Sequence, residues 1–382
     1  MMASAAFLAS ISLMVAMMLA GFKPYIVVLA SLLLFSAMVF GLSSPLVFYG
    51  ALNSSFITTL GSLVAAMYLA ELFRENIHSR EAVESVESVD PRLAGASIPA
   101  LVGLLPMPGG AYVSATLVDS VYRKTNMKPE EKTFLNFWFR HIWITVWPLY
   151  QGVLIASYIT GMNVRDIAWM NIPIMLASFL AGLPFLFSFI AGRHENKRRS
   201  LPKLVHLWPF GLIALLNLGL NLNVFVSVIA TIAVYSIVYK PSLRSHLNAL
   251  KYSLNPSILT LITVSLIYGH AISVSGLASQ LGTFLRPVEA SLFAVTTLIV
   301  VATGFEFTFS AIAFPVFKPF LNPSNMFYGF LGGFTGSMLS PVHACLVLSA
   351  DYFKADLKKV YKYLAPATLT TIATSLILRI LV

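Results

Sequence analysis

The segment SIPALVGLLPMPGGAYVSATLVDSVYRK, residues 97–124, has a counterpart in SLFAVTTLIVVATGFEFTFSAIAFPVFK, residues 291–318. Each is a long apolar run that glycine or proline interrupts near its centre. A shift of 194 positions superposes Gly110 on Gly304, so that the two interruptions coincide. Paired interruptions of apolar segments in the two halves of a chain indicate a secondary transporter whose binding site lies near the membrane midplane, between two repeats.

The repeat continues into the next apolar segment. A shift of 193 positions superposes Phe134 on Phe327 and Pro148 on Pro341. Each repeat therefore consists of a helix, a hairpin, a broken helix and a further helix. From these matches we predict four regions, namely N-terminal scaffold helices over 1–52, a first repeat over 53–190, linking scaffold helices over 191–255 and a second repeat over 256–382.

The composition is that of a polytopic, all-α membrane protein. Charged residues make up 10% of the chain, against about 25% in an ordinary soluble domain. Apolar residues reach 58%, the mean hydropathy is +0.82, and apolar stretches of roughly 20 residues, the length that spans a bilayer, follow one another almost end to end. We predict about ten transmembrane helices, at residues 3–21, 24–42, 53–73, 132–159, 166–190, 204–220, 223–239, 256–276, 325–350 and 363–382.

Two further segments, 92–124 and 286–321, are too long for one spanning helix and too short for two with a loop. Each has a helix-breaking centre, PMPGG at 106–110 in the first and Thr303-Gly304 in the second. We interpret both as re-entrant hairpins, in which the chain dips to mid-membrane and returns to the same side. Backbone that is not helical at that depth is tolerated only where protein or a water-filled cavity surrounds it.

The basic residues predict an orientation in the cell membrane. With the N-terminus outside, 20 of the 25 lysines and arginines lie in cytoplasmic segments, as the positive-inside rule requires. Both termini then lie outside, and the two repeats are inverted, so that their hairpins enter from opposite sides. The net charge of +10 is therefore a sign of orientation and not of a nucleic-acid partner. The single cysteine, Cys345, allows no disulfide within this sequence.

The two broken helices, 132–159 and 325–350, each contain a central proline. Ser340 is a good N-cap and Pro341 suits a first helical position, so a half-helix is predicted to start there inside the membrane. Pro148 is predicted to do the same in the first repeat. Two helix N-termini and a glycine-rich hairpin tip would form an anion-binding site. The alternative is that these prolines only kink packed helices, but their matched positions favour true breaks that act as hinges.

Ionisable residues at membrane depth are energetically costly and so indicate function. Glu306 lies between Phe305 and Phe307 in the second hairpin tip, and apolar surroundings favour the neutral form of a carboxyl, which suits a reversible proton carrier. His343 could share that proton or donate to a bound carboxylate. Arg140, followed by His141, could pair with an anion or with Glu306, or instead extend to the cytoplasmic surface.

Four other ionisable residues have a weaker claim. Asp119, in the second arm of the first hairpin, is either a functional carboxylate or a residue of the cytoplasmic mouth. His270 fits a hydrogen-bonded packing role, and Glu71 and Asp351 lie near helix ends, where interfacial positions are expected. The sequence contains no Walker A motif, no dinucleotide fingerprint and no His/Cys cluster with metal spacing, so we expect no ATPase, no cofactor and no metal site. A hydrolase dyad of Ser340 and His343 would have no third residue to orient it.

Three motifs resemble those of a ten-helix prokaryotic membrane-protein family of unknown function: GLLPMPGGA at 103–111, TGFEFTF at 303–309 and LSPVHAC at 339–345. That family is grouped in the ion-transporter superfamily, with gluconate permeases, citrate carriers and sodium–dicarboxylate symporters. The resemblance implies a homodimer in which hairpins and broken helices move against a scaffold as an elevator. The sodium–dicarboxylate branch carries Ser-Asn-Thr at both hairpin tips, and neither tip here has Asn, which favours proton over sodium coupling.

The sequence therefore predicts a proton-coupled permease that moves a small organic anion, a carboxylate or sugar acid, by symport, and no enzyme. Its predicted substrate site comprises Pro108, Gly109, Gly110, Arg140, Thr303, Gly304, Ser340 and His343. Proton or cation coupling is assigned to Glu306, His343 and Asp119. Three alternatives remain open: a sodium or other cation/proton antiporter that uses Glu306 and Asp119, an intramembrane hydrolase, and a lipid-precursor translocase with a lateral opening toward lipid.

Overall fold

The computed structural model describes residues 2–78, 81, 90–105, 109–190, 203–282 and 285–381 of the 382-residue chain. Every regular element within these ranges is helical. The α-helices are α1 (Met2–Leu19), α2 (Pro24–Phe40), α3 (Ser44–Ala51), α4 (Ser54–Glu75), α5 (Pro91–Gly103), α6 (Gly110–Tyr122), α7 (Pro129–Arg140), α8 (Gln151–Thr160), α9 (Val164–Phe189), α10 (Trp208–Ile213), α11 (Val224–Tyr239), α12 (Leu243–Ser253), α13 (Pro256–Val274), α14 (Leu277–Leu281), α15 (Val288–Thr303), α16 (Phe314–Phe317), α17 (Pro323–Leu339), α18 (Ala344–Phe353) and α19 (Leu357–Leu381). Two π-helical turns lie at Ala214–Gly219 and Phe309–Ala313.

The helices are those of a multi-pass membrane protein. Within the described ranges, seven helical stretches are long and apolar enough to cross a membrane. Further apolar helices of 10–17 residues include α8, α11 and α15. The all-helical class is therefore as predicted, whereas the number of crossings and the orientation stay predictions.

Several predicted boundaries differ from the observed ones. The last helix, predicted to begin at 363 after a lysine-rich segment, begins at Leu357 and runs for 25 residues. Its lysines lie within its first turns, where Asp356 caps the helix through its bond to the Lys358 N–H. The helices α3 and α12 were not predicted, since both are short and lie outside the long apolar runs.

The repeat is visible in the helix boundaries themselves. The shift of 193 positions that relates Pro148 to Pro341 carries α8 onto α18 at both ends, and each has ten residues. The same shift carries the start of α9 onto the start of α19. Even the residue after each half-helix corresponds, because Gly161 and Lys354 both adopt a positive φ, 75° and 58°. Two stretches of different sequence therefore begin and end their helices at equivalent positions.

Two compact units make up the chain. Unit 1 comprises Met1–Val64, Gln151–Met170 and Leu254–Ser340, and unit 2 comprises Ala65–Tyr150, Asn171–Ser253 and Pro341–Val382. Unit 1 therefore contains the second hairpin region, α17 and the half-helix α8 of the first repeat. Unit 2 contains the first hairpin region, α7 and the half-helix α18 of the second repeat. Each unit thus combines elements from both repeats.

In unit 1, a row of glycines on α17 allows neighbouring elements to approach closely. A Cβ placed on Gly336 would lie 2.7 Å from the Thr297 carbonyl oxygen of α15, so only glycine fits at that contact. On another side of α17, the rings of Phe309, Phe314 and Phe330 form an aromatic cluster with centroids 5.0–5.7 Å apart. Small residues at close helix contacts are the usual means of packing within a membrane.

In unit 2, α7 lies against both arms of the first hairpin region and against α18. Asn136 on α7 donates from its side-chain nitrogen to the Ala111 carbonyl of α6 and to the Ser349 hydroxyl of α18, at 3.0 and 2.9 Å. Its neighbour Trp138 donates to the Ser178 carbonyl of α9 at 2.9 Å. Because a buried polar group is costly when unpaired, these bonds hold the end of α7 in a defined place.

Candidate functional site

Both predicted helix breaks are present. Helix α7 ends at Arg140 and α8 begins at Gln151, so Pro148 lies in the interruption 141–150. Helix α17 ends at Leu339 and α18 begins at Ala344, so Pro341 lies in the interruption 340–343. The substrate-binding and hinge roles that we assign to these segments stay predictions.

The predicted cap of the second half-helix was wrong. Ser340 is the C-cap of α17, with its N–H bonded to the Gly336 carbonyl, and His343 is the N-cap of α18. Pro341 consequently precedes the half-helix and does not start it. The physical reason is a tertiary contact, because the Ser340 hydroxyl donates to the Val301 carbonyl at 2.8 Å. That carbonyl lies in the last turn of α15, where helix carbonyls have no partner within the helix.

The interruption 141–150 makes the same kind of contact in unit 2, with three aromatic side chains. Trp143 donates to the Ala100 carbonyl at 2.9 Å, Trp147 to the Leu104 carbonyl at 3.0 Å, and Tyr150 to the Gly103 carbonyl at 2.7 Å. These bonds satisfy carbonyls at the C-terminal end of α5 and fix the interruption against the hairpin region. Sequence reasoning missed these roles, since tryptophan and tyrosine in an apolar run look like core residues.

Arg140, the last residue of α7, is buried within unit 2 at 4% exposure. Its Nη1 lies 3.6 Å from the Cys345 sulfur and its Nη2 lies 3.5 Å from the Leu105 carbonyl oxygen, both long for hydrogen bonds. Its Nε has no hydrogen-bond partner within the described part of the chain. Among the described residues, no carboxylate lies within ion-pair distance of this guanidinium. The alternative in which Arg140 extends to the cytoplasmic surface is therefore wrong.

Two buried histidines lie beside Arg140. The His141 Nδ1 is 2.6 Å from the Phe137 carbonyl oxygen, and the His141 Nε2 is 3.3 Å from the His343 Nε2. The Nδ1 of His343 is buried and has no hydrogen-bond partner in the ranges that the structure describes. The pair could not be foreseen from the sequence because the two residues are 202 positions apart. Of the predicted site residues, Arg140 and His343 are thus brought into one cluster.

The cluster also contains Cys345, and one ligating atom from each of His141, His343 and Cys345 lies within 4.8 Å of the others. Two imidazoles and a thiol are ligands that a soft transition metal accepts, although the sequence led us to expect no metal site. A metal cation would, however, lie close to the guanidinium of Arg140. That positive charge, which no described carboxylate balances, favours an anion at this place.

The N-terminus of α18 lies in the same cluster. His343 is the N-cap and Cys345 is in the first turn, and no side chain caps the helix. The amide groups of a helix N-terminus carry a partial positive charge that attracts anions. We define the Arg140 cluster as Arg140, His141, His343 and Cys345 together with this helix end. The cluster therefore combines a guanidinium, two imidazoles, a thiol and the amide groups of a helix N-terminus.

The other predicted residues of the second hairpin tip lie in unit 1. Thr303 ends α15, and Gly304 caps it with a φ of +73°, a conformation that favours glycine. The hydroxyls of Thr303 and Thr308 are hydrogen-bonded at 2.8 Å. Glu306 is half-buried in the turn between α15 and the π-helical turn at Phe309–Ala313. This tip therefore combines a carboxyl with an interrupted helix.

The first hairpin tip is described in part. Gly109 has a φ of +73° and precedes Gly110, the first residue of α6, which matches the role of Gly304. Pro108, a predicted substrate-binding residue, lies outside the described residues with Pro106 and Met107. The helices on either side have 13 residues each. At 1.5 Å per residue they are about 20 Å long, shorter than the roughly 30 Å hydrocarbon core.

Three other carboxylates that the sequence analysis considered have cationic neighbours. Asp119 forms an ion pair of 2.7 Å with Arg123 and accepts a bond of 3.2 Å from the Tyr352 hydroxyl. The Arg123 side chain is 76% exposed, and both roles suggested for Asp119 stay predictions. Glu71, predicted to be interfacial, is buried and pairs with Arg74, so burial there was missed. Asp351 is exposed and pairs with Lys354 at 3.1 Å.

An apolar groove of about 630 Å³ lies elsewhere on unit 2, between α5 and α9. Phe139, Trp143 and Phe179 line it, and Arg92 lies at one end with its guanidinium over the Phe187 ring. Apolar walls of this kind suit hydrocarbon chains. None of the predicted site residues lines this groove. The groove is apolar, whereas the Arg140 cluster is polar and charged.

These features define a polytopic α-helical membrane protein with two interrupted helices and a buried cationic cluster. The chain belongs to the family described as Protein of unknown function (DUF401), whose model matches residues 6–381. Among solved structures it is similar to the YdaH transporter of Alcanivorax borkumensis, whose topology is described as unusual. The two are 18% identical with a TM-score of 0.46, over 88% of this chain and 86% of that one. No curated protein matches the chain.

Proposed function

We propose that the protein is a secondary active transporter of a small organic anion, and that Arg140 binds the carboxylate. The observation that carries this proposal is the buried guanidinium whose Nε has no partner and which no described carboxylate neutralises. An arginine with a purely structural role is normally paired, because an uncompensated buried charge is destabilising by several kcal/mol. A bound carboxylate would supply the missing charge and accept the free N–H.

The surroundings of Arg140 support an anion over a cation. The N-terminus of α18 and the guanidinium both attract negative charge. The antiporter alternative needs carboxylates that can take up a cation, yet Asp119 is engaged by Arg123 and Tyr352. The anion carrier is therefore the better proposal for this site.

Coupling to protons is the second part of the proposal, and Glu306 is its site. Glu306 is half-buried between two phenylalanines, beside a helix that ends at Gly304. A carboxyl can bind and release a proton, so Glu306 is the group to which we assign the coupling proton. Substrate movement by an elevator motion of a homodimer is the mechanism that the family resemblance implies, and it belongs to the proposal on that basis.

The first test is ligand-induced stabilisation of the detergent-purified protein. A ligand present at 100 times its dissociation constant adds about 2.7 kcal/mol to the free energy of unfolding. We expect a small carboxylate or sugar acid to produce such a shift in a panel that also includes amino acids, phosphate and sodium, at acidic and neutral pH. The Arg140→Gln variant should lose the shift, and Arg123→Gln, which removes an exposed arginine of the same unit, should keep it.

The second test is uptake of that anion into proteoliposomes with and without a pH gradient. An inwardly directed proton gradient should accelerate uptake, and Glu306→Gln should abolish the acceleration. Glu289→Gln is the matched control, because Glu289 is an exposed carboxylate at the start of α15, the helix that precedes the turn with Glu306. Stabilisation by sodium alone, with no response to any anion, would contradict the proposal and favour the antiporter.

A further inference from the structure

The hydrogen bonds of the two histidines fix which ring nitrogens carry protons. The Phe137 carbonyl can only accept, so the His141 Nδ1 at 2.6 Å must be the donor. A neutral imidazole carries one N–H, and the Nε2 of His141 is therefore an acceptor. The His343 Nε2, 3.3 Å away, must then be the donor in the bond between the two rings.

This assignment leaves the His343 Nδ1 as an acceptor with a lone pair. That nitrogen is buried and has no hydrogen-bond partner among the described residues. The neutral state of both rings follows from their neighbour, since a second positive charge beside the guanidinium of Arg140 would be unfavourable. The cluster therefore offers a ligand two different groups, a cationic donor at Arg140 and a neutral acceptor at His343.

We infer that the transported anion is a hydroxy acid, whose carboxylate binds Arg140 and whose hydroxyl donates to the His343 Nδ1. This inference rests on the proposed function and names the substrate class of the same site. It also reverses the expectation that His343 donates to a bound carboxylate. Buried polar groups are rarely left without a partner, and a ligand hydroxyl would supply the missing donor.

Two other occupants fit the cluster less well. An ammonium group could also donate to the His343 Nδ1, but its charge would lie close to the Arg140 guanidinium. A metal ion could bind one ring nitrogen of each histidine and the Cys345 sulfur, but it would face the same repulsion. A neutral hydroxyl is the donor that avoids the repulsion, and the amino acid and the metal become outcomes of the test.

The decisive experiment compares propionate, lactate and alanine, which share a carbon skeleton and differ by hydrogen, hydroxyl and ammonium at one carbon. Dissociation constants are measured by thermal shift on the detergent-purified full chain. We expect lactate, as one of its two enantiomers, to bind about tenfold or more tightly than propionate, because propionate leaves the buried acceptor unpaired. Alanine should bind no better than propionate.

Two variants of His343 distinguish the effect of losing the Nδ1 acceptor from the effect of losing the imidazole ring. In His343→Gln the amide nitrogen replaces the Nε2 donor to His141 but no acceptor replaces Nδ1. In His343→Asn the side-chain oxygen lies near the former position of Nδ1. We expect the lactate-to-propionate ratio to fall toward one in His343→Gln and to be restored in part in His343→Asn. A loss of affinity that is equal for both acids in both variants would indicate a structural role and overturn the inference.

The other outcomes are distinct. Equal binding of propionate and lactate by the wild type would overturn the hydroxy-acid inference and leave the anion transporter standing. No response to any of the acids in the larger panel would overturn both. Stabilisation by zinc that Cys345→Ser removes, without stabilisation by lactate, would replace the inference with a metal site.

Discussion

The two interrupted helices have the same backbone architecture, but equivalent positions carry polar side chains in one unit and apolar residues in the other. The shift of 193 positions that relates α8 to α18 pairs Arg140 with Gly333, His141 with Phe334 and Gly152 with Cys345. In unit 2 these positions provide a guanidinium, an imidazole and a thiol in one buried cluster. In unit 1 they provide two glycines and a phenylalanine.

The space at the glycines of unit 1 is filled by an aromatic ring. A Cβ on Gly152 would lie 3.0 Å from the Phe309 ring, and a Cβ on Gly333 would approach the same ring more closely than van der Waals contact allows. The repeat therefore supplies the same backbone frame twice. Among the described positions compared here, the buried polar atom without a hydrogen-bond partner is the Arg140 Nε of unit 2. The binding site that we propose therefore depends on these side chains and not on the helix break alone.

The largest expected effect comes from disrupting the close packing of Gly333 against the Phe309 ring in unit 1. Gly333→Leu should destabilise the protein by about 3 kcal/mol or more, because the added side chain must displace the Phe309 ring from a close-packed core. The measurement is thermal unfolding in detergent, with the yield of monodisperse protein as a second readout. Gly211→Leu is the control, since nothing lies within 4 Å of a Cβ at Gly211. Equal stability of the two variants would mean that this contact is not a packing constraint.

The next largest effect comes from removing the positive charge of the Arg140 cluster in unit 2. Arg140→Met should leave the ligand-free protein as stable as the wild type or more stable, by about 2 kcal/mol, because apolar residues often replace buried charges without loss. The same variant should show no stabilisation by the anion. A ligand-free variant that unfolds well below the wild type would indicate that Arg140 has a structural partner and would contradict the comparison.

The bonds that fix each interruption can be compared directly. Tyr150→Phe removes the donor to the Gly103 carbonyl in unit 2 and should cost about 1.5 kcal/mol, the usual range for a buried acceptor left unpaired. Thermal unfolding measures the loss, and Tyr49→Phe, at a tyrosine that is 77% exposed, is the control. A loss no larger than that of the control would show that the interruption is held by packing alone.

The equivalent change in unit 1 is Ser340→Ala, which removes the donor to the Val301 carbonyl. We expect a loss of about 1 kcal/mol, since one small hydroxyl is removed and no ring has to repack. If Ser340→Ala were instead more destabilising than Tyr150→Phe, the Ser340 bond would contribute more to stability than the Tyr150 bond, which would contradict this prediction.

The smallest effect concerns an exposed ion pair outside the membrane-spanning helices of unit 2, and it contrasts with the buried charge of Arg140. The hydrogen bond from Lys203, at 2.9 Å, lowers the pKa of the Glu81 carboxyl. A lowered pKa means that the pair stabilises the folded state above the ordinary carboxyl pKa and that this contribution is lost as the pH falls through the lowered value. Glu81→Gln should therefore change the acid limb of the stability curve only slightly. A large change would show that this surface ion pair contributes more to the free energy of unfolding than exposed pairs usually do.

Much of this molecule could be anticipated from the sequence because hydrophobicity and helix breaking act locally. The apolar runs, the interruptions near Pro148 and Pro341 and the left-handed Gly304 all follow from residue types in sequence. The cap at Ser340 was wrong because its hydroxyl bonds to a carbonyl 39 residues away. Likewise, the aromatic donors at 143–150 bond to helix ends about 45 residues earlier, with separations of 43 and 47.

The sequence by itself determined a membrane protein with two related halves, since length, composition and the spacing of glycine and proline are enough to set where helices form and stop. It also identified Arg140 and His343 as costly residues at membrane depth. Only the tertiary structure decided that these two belong to one cluster with His141 and Cys345, because α7 and α18 come from different repeats and meet only on folding. The direction of the histidine hydrogen bonds, from which we infer the kind of ligand, depends on that contact between α7 and α18.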